Sequence, residues 1–201
     1  MKIFLSNFFY NIFLTCLITS IFIVFYSETK SESTVLAGVN ELHESLIKIS
    51  DKTIKSNNLA MIDDVVKNSY DLEKMGKIII GIDWKQIDTK TQKEFINVFN
   101  RFISVNYLRR FNKINELNFE HQTVTVIEDK FRLARVTLTA DNEKIKIDYL
   151  LGFKNEKWKI FDVLLDGSIS EVATKKSDFK KIIKEEGVSG LVKNLRIRNQ
   201  F

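Results

Sequence analysis

The chain has 201 residues, 44% of them apolar and 28% charged, and 31 basic against 26 acidic side chains give a net charge of +5. Those proportions build a globular core and exclude a disordered chain, while so mild and dispersed a positive charge offers no concentrated basic patch for nucleic acid. Proline is absent, and the single cysteine, Cys16, leaves no disulfide framework and no cysteine metal site.

From Ile3 through Ser27 there is no charged residue, and the densest apolar run is Ile12 to Phe25. That core has the length of an export signal, while the whole stretch is long enough to cross a bilayer. Residues 1–27 are therefore read as a signal peptide, or as an anchor if it is not cleaved. Both readings export the rest of the chain. Cys16 lies inside this segment, and Phe13 and Thr15 stand where a lipoprotein signal would carry leucine and a small residue, so no lipidation is expected.

A domain is expected over residues 34–195. Val35, Leu36, Val39, Leu42, Leu46 and Ile49 repeat at helical spacing, and Lys52–Asn58 breaks the pattern. Asn58 can cap a short helix carrying Met61, Ile62, Val65 and Val66. Asp71 can cap the next, "LEKMGKIIIGI", with its stripe of Met75, Ile78, Ile79 and Ile82. The longest helix is expected from Thr89 to about Phe111, with Thr89 and Gln92 forming a capping box. Its apolar side is Phe95, Val98, Phe99, Phe102, Ile103 and Tyr107.

From Glu120 the period changes to two, and Glu120–Glu128, Phe131–Ala140, Glu143–Phe153 and Lys157–Asp166 read as a four-stranded antiparallel meander. Two-residue turns at Asp141-Asn142 and Asn155-Glu156 set the register: Leu138 opposite Ile145, Val136 opposite Ile147 and Ala134 opposite Tyr149. In the next hairpin they put Phe153 opposite Trp158, Leu151 opposite Ile160, Tyr149 opposite Asp162 and Ile147 opposite Leu164. This face is apolar nearly throughout. The other face pairs Arg135 with Asp148 and turns Phe161 and Val163 toward a second helical cover. After a polar loop, Ser177–Glu186 is a helix stopped by Gly187, Leu191 to Leu195 add a short helical turn, and residues 196–201 form a frayed tail. The class is α+β.

Three stretches together resemble one family. "YDLEKMGKIIIGIDWKQIDTKTQKEFINVFNRFISVNYLRRF", with Tyr70, Asp71, Met75, Gly81, Trp84, Thr89, Gln92, Phe95, Phe99 and Tyr107, is similar to the characteristic block of the MlaC family of periplasmic phospholipid-binding proteins, also called toluene-tolerance auxiliary proteins. "IDYLLGFKNEKWKIFDVLLDG", with Tyr149, Trp158, Asp162 and Gly167, is similar to its second block, and "DFKKIIKEEGVSGLVKNL" to its ending. The sequence departs from the pattern after Gly167, where "SIS" makes the loop one residue longer.

The resemblance implies a sheet like that of nuclear transport factors, clasped by N-terminal and C-terminal helices around an apolar cavity. A monomeric periplasmic carrier is expected, not an enzyme and without cofactor or metal, since Asp162 lacks catalytic partners and the two histidines lack metal spacing. Such a carrier moves phospholipid between an outer-membrane lipoprotein complex and an inner-membrane ABC transporter with an MCE-domain subunit. The residues expected to contact lipid are Met75, Ile79, Phe95, Phe99, Phe102, Tyr107, Val136, Leu138, Ile147, Tyr149, Leu151, Ile160 and Leu164; ordinary core packing is the alternative for each. Arg101, Arg109 and Arg110, near the polar side of the long helix, are candidates for headgroup or partner contact, against a simple solvated face.

Asp162 on a greasy strand needs hydrogen bonds: either a tyrosine hydroxyl or a turn amide donates to it, or it serves as the base of an isomerase or hydrolase sharing the cavity. His43 and His121, without triad or metal spacing, read as surface or edge residues. Two further alternatives are a carrier of hopanoid-type lipids and an anchored assembly protein with a filled core.

Overall fold

The structure, a computed structural model, describes residues 34–51 and 58–200. The expected signal or anchor, Cys16 and most of the Lys52–Asn58 break lie outside them. From Leu36 onward the described residues belong to one compact unit. Among the described residues no helix is long and apolar enough to cross a membrane.

Helix α1 occupies residues 34–50, and the side chains of Val39, Leu42, Leu46 and Ile49 are buried along one face, as their spacing requires. Helix α2 (Asn58–Ser69) buries Ile62, Val65 and Val66. Gly38 of α1 faces Ser69 at the end of α2, where a Cβ would make ordinary van der Waals contact. Helix α3 (Leu72–Ile80) starts under the expected cap: the Asp71 carboxylate accepts from the Lys74 amide at 3.1 Å. It ends sooner than its hydrophobic spacing suggests, because Gly81 takes φ 74° and turns the chain into a 3₁₀ helix, Gly81–Lys85. Ile82 is consequently 83% exposed, whereas Met75, Ile79 and Ile80 are buried.

Helix α4 (Thr89–Phe111) is capped differently from the sequence expectation. Asp88 is the N-cap, accepting from the Thr91 amide at 3.0 Å and its hydroxyl at 2.7 Å. A carboxylate at a helix start satisfies the free amides and suits the positive end of the dipole, so it displaces the threonine. Gln92 reaches back to the Trp84 carbonyl at 2.9 Å, tying α4 to the 3₁₀ turn. Trp84 meets Phe95 edge-on at 6.0 Å, and Phe95 stacks on Phe99 at 5.3 Å. Gly76 sits under this stack, where an added Cβ would come within 2.8 Å of the Trp84 ring.

The sheet has five antiparallel strands in chain order: β1 (Leu117–Ile127), β2 (Phe131–Ala140), β3 (Glu143–Lys154), β4 (Lys157–Leu165) and the two-residue β5 (Ile169–Ser170). Both expected hairpin turns are present, with Asp141, Asn142, Asn155 and Glu156 all at positive φ, as type I′ turns require. The β2–β3 register is as the alternation dictates. The β3–β4 register holds from Phe153↔Trp158 to Leu151↔Ile160 and then slips, because Phe161 is one residue too many. Beyond this bulge Tyr149 stands opposite Val163, and not Asp162; Ile147 stands opposite Leu165, and not Leu164.

The free edge of β4 is covered by the α2–α3 junction, where Tyr70 bridges to Ile160 and the Asp71 amide donates to the Ile160 carbonyl at 2.8 Å. The segment read as a polar loop instead forms β5 and the first turns of α5 (Glu171–Arg198), with Ser170 as N-cap. Gly187, at φ 69° and ψ −174°, is non-helical and breaks α5 into two helical segments, so the first of them stops at this glycine as expected. At the C-terminus the helix continues to Arg198, and the Asn199 side chain donates through Nδ2 to the Val98 carbonyl at 2.9 Å.

Candidate functional site

Between the concave face of the sheet and α4 lies a cavity of about 330 Å³ that opens to the surface. Phe119, Leu138, Ala140, Ile145, Ile147, Tyr149, Val163 and Leu165 form its sheet wall. Phe99, Phe102, Ile103, Tyr107 and Phe111 line it from α4, Leu46 from α1, and Tyr70 and Met75 from the α2–α3 region. The polar side chains Asn106, Arg110, Glu171 and Lys175 also border it. A wall this apolar with a few convergent polar groups is the usual composition of a ligand site. A second, larger and more open groove of about 890 Å³ runs beside α3 and the β3–β4 turn, lined by Phe131, Phe153 and Trp158 and by Asp71, Glu73, Lys77 and Lys154, whose charges pair with one another.

The expected lipid-facing residues divide between wall and core. Met75, Phe99, Phe102, Tyr107, Leu138, Ile147 and Tyr149 line the cavity. Ile79, Phe95, Val136, Leu151 and Ile160 are buried outside its lining; Phe95 is held against Trp84 and Phe99, and Leu151 and Ile160 pair where the α2–α3 junction covers the sheet. Leu164 leaves the wall because the bulge reverses the alternation, and the same reversal brings in Val163 and Leu165, which regular alternation assigns to the opposite face. Phe161 packs on that opposite face against Phe131 at 5.2 Å, with the Lys74 ammonium 3.3 Å from its ring centroid. Arg135 and Asp148 form the expected pair there, doubly bonded at 3.0 Å.

Of the three arginines, Arg110 borders the cavity. Arg101 is paired with Asp63, and Arg109 donates to the Gln200 carbonyl at 2.7 Å. Glu171 and Lys175 were invisible as site residues in the sequence, because their segment reads as a loop; the signal was Ser170 preceding a helical run.

The bulge also settles the role of Asp162. Its carboxylate accepts from the Ser170 hydroxyl at 2.6 Å, the Val172 amide at 3.1 Å and the Val163 amide at 2.8 Å, so it fastens β4 to the start of α5. It is not among the residues lining the cavity. Asp162→Ala strands a buried amide and hydroxyl and should lower stability by about 2 kcal/mol, read as a shift in urea midpoint, whereas Asp162→Asn should leave lipid load intact.

His43 is not a surface residue. It is 4% exposed on the inner side of α1, stacked on Phe119 at 3.8 Å and hydrogen bonded through Nε2 to the Tyr149 hydroxyl at 3.0 Å. The helical stripe passes beside it, and Phe119 and Tyr149 give its ring an apolar sandwich and a polar partner. Burial first, and the nearby His121 second, lower its pKa to about 3. His121 is exposed on β1, with its ring 5.3 Å away. Among the described residues no group of three or more metal-ligating side chains is assembled.

The family model described as MlaC protein matches residues 39–197. The chain belongs to the MlaC family. Among solved structures it is similar to a phospholipid-binding protein from Ralstonia solanacearum, determined in complex with a phospholipid; the two are 22% identical with a TM-score of 0.69, over 83% of this chain and 95% of that one. At that identity the likeness establishes the shared fold. No curated protein matches the chain in sequence. The match spans both sequence blocks at the site, whose Tyr70, Met75, Phe99, Tyr107 and Tyr149 line the cavity.

Proposed function

We propose that the protein is a phospholipid carrier that shelters acyl chains in the cavity between sheet and α4 and performs no bond chemistry. The observation that carries this reading is the cavity itself: apolar walls from four strands and α4, open to the surface, with cations at its border. Family membership and the fold shared with a protein solved with bound phospholipid support it. A methylene fills about the volume of a water molecule in the liquid, about 30 Å³, so the cavity holds on the order of ten methylenes. At about 0.8 kcal/mol per methylene, that shelter returns about 8 kcal/mol of the cost of drawing a chain from a bilayer. The volume suits much of one chain, so a two-chain lipid requires the walls to move apart or part of the second chain to lie at the mouth.

In this reading the chain acts in the periplasm as the soluble member of a lipid transport pathway. It exchanges cargo with an outer-membrane lipoprotein complex and an inner-membrane ABC transporter bearing an MCE-domain subunit. Asp162, engaged by α5, supplies no base for a reaction in the cavity. The test is organic extraction and mass spectrometry of the protein after export in a bacterial host. Near-stoichiometric phospholipid is expected. Hopanoid-type lipid in the extract would keep the carrier and change its cargo, and absence of any lipid would overturn the carrier.

A further inference from the structure

The border of the cavity holds polar groups that chain shelter does not use. Arg110 comes from the last turn of α4, Glu171 and Lys175 from the first turns of α5, and Tyr70 and Tyr107 stand just inside. The two phenols are hydrogen bonded to each other. Such a bond uses one of two hydroxyl hydrogens, and the other remains a donor for an incoming oxygen. Burial pushes Tyr107 up to about 12, so that hydrogen stays in place at neutral pH.

Glu171 and Arg110 line the same cavity as Tyr107, and both act on its phenol, in opposite senses. Lys175 is engaged by Asp178 at 3.2 Å and lies 4.0 Å from Glu171. Arg110 has no ion pair among the described residues. The rim thus offers a donor for a carbonyl, a cation for a phosphate and a carboxylate for an ammonium group.

We propose that this rim selects zwitterionic glycerophospholipids, with the phosphate on Arg110, the headgroup ammonium on Glu171 and an ester carbonyl accepting from the Tyr70–Tyr107 pair. The proposal rests on the carrier reading and adds a headgroup preference to it. A guanidinium meets a phosphate with two parallel bonds. A purely anionic headgroup gains that contact but faces Glu171 as a like charge.

The exported protein is incubated with vesicles of equimolar phosphatidylethanolamine and phosphatidylglycerol, re-isolated, and its bound lipid quantified as a ratio. The wild-type protein should carry phosphatidylethanolamine in excess, and Glu171→Gln should lower the ratio about threefold, the worth of a partly exposed ion pair. Glu171→Asp should restore the preference, and Arg110→Gln should reduce both lipids. The ratio is read on bound lipid alone, so partial misfolding does not move it. A wild-type ratio equal to that of the vesicles, or an unchanged ratio in Glu171→Gln, overturns headgroup selection while leaving the carrier intact. A wild-type protein that takes up neither lipid overturns the carrier reading itself.

Discussion

Replacing Ile147 with tryptophan should reduce bound lipid at least tenfold. Ile147 lies mid-strand on β3, opposite Val136 on one side and Leu165 on the other, and its side chain forms part of the cavity wall. The indole has no room to turn back into the sheet, because Val136 is fully buried, so it grows into the hollow. Excluding even two methylenes of a cargo chain removes about 1.6 kcal/mol of shelter, and every 1.4 kcal/mol is about a factor of ten in affinity. The added ring occupies space that is otherwise empty, so the loss of fold stability should stay below that of overpacking a filled core, about 1–3 kcal/mol. Lipid per mole of protein by mass spectrometry, beside a thermal melt of the same sample, separates the two effects. Undiminished lipid in a folded variant would mean that cargo is held elsewhere.

Acidification should weaken the fold through His43, beginning below neutrality. The imidazole is neutral in the folded protein, with a pKa of about 3 against 6.5 when unfolded. A base with a depressed pKa contributes its full stability above 6.5 and loses it progressively as pH falls toward 3, because the unfolded chain binds the proton first. At about 1.4 kcal/mol per unit, some 2 kcal/mol should be lost by pH 5. The contact at risk joins α1 to β3 through the hydroxyl of Tyr149, a residue of the cavity lining, so acid should loosen the cavity wall. His43→Gln retains a partner for Tyr149 and should flatten the stability profile between pH 4 and 7, measured by urea unfolding. A His43→Gln profile as steep as the wild type would assign the acid limb to other groups.

The parts of this fold that were legible from sequence are those where a short-range rule acts alone. The type I′ turns at Asp141-Asn142 and Asn155-Glu156 fix the β2–β3 register and the first half of β3–β4. The phenylalanine spacing of α4 places Phe99 and Phe102 on the cavity side. Legibility fails where two local signals compete. Asp88 and Thr89 both suit a helix start, and the charged group prevails. "SISEVATKK" is too polar to show a hydrophobic period, yet Ser170 caps a helix there that supplies Glu171 and Lys175. Which apolar residues touch empty space and which touch one another depends on the distance between sheet and helices, and periodicity carries no information about that distance. Phe95 and Phe99 look alike in sequence, and only Phe99 lines the cavity.

Phe161 makes the length of β4 matter more than the identity of the residue at that point. With strict parity along the strand, the carboxylate of Asp162 would project among hydrocarbon, where an ionised group without partners is costly by several kcal/mol. One supernumerary position swaps odd for even, handing valine and leucine to the oily side and the acid to the waiting helix. Exchanging that residue for another bulky one preserves the count, but deleting it would shift every downstream group across the sheet at once.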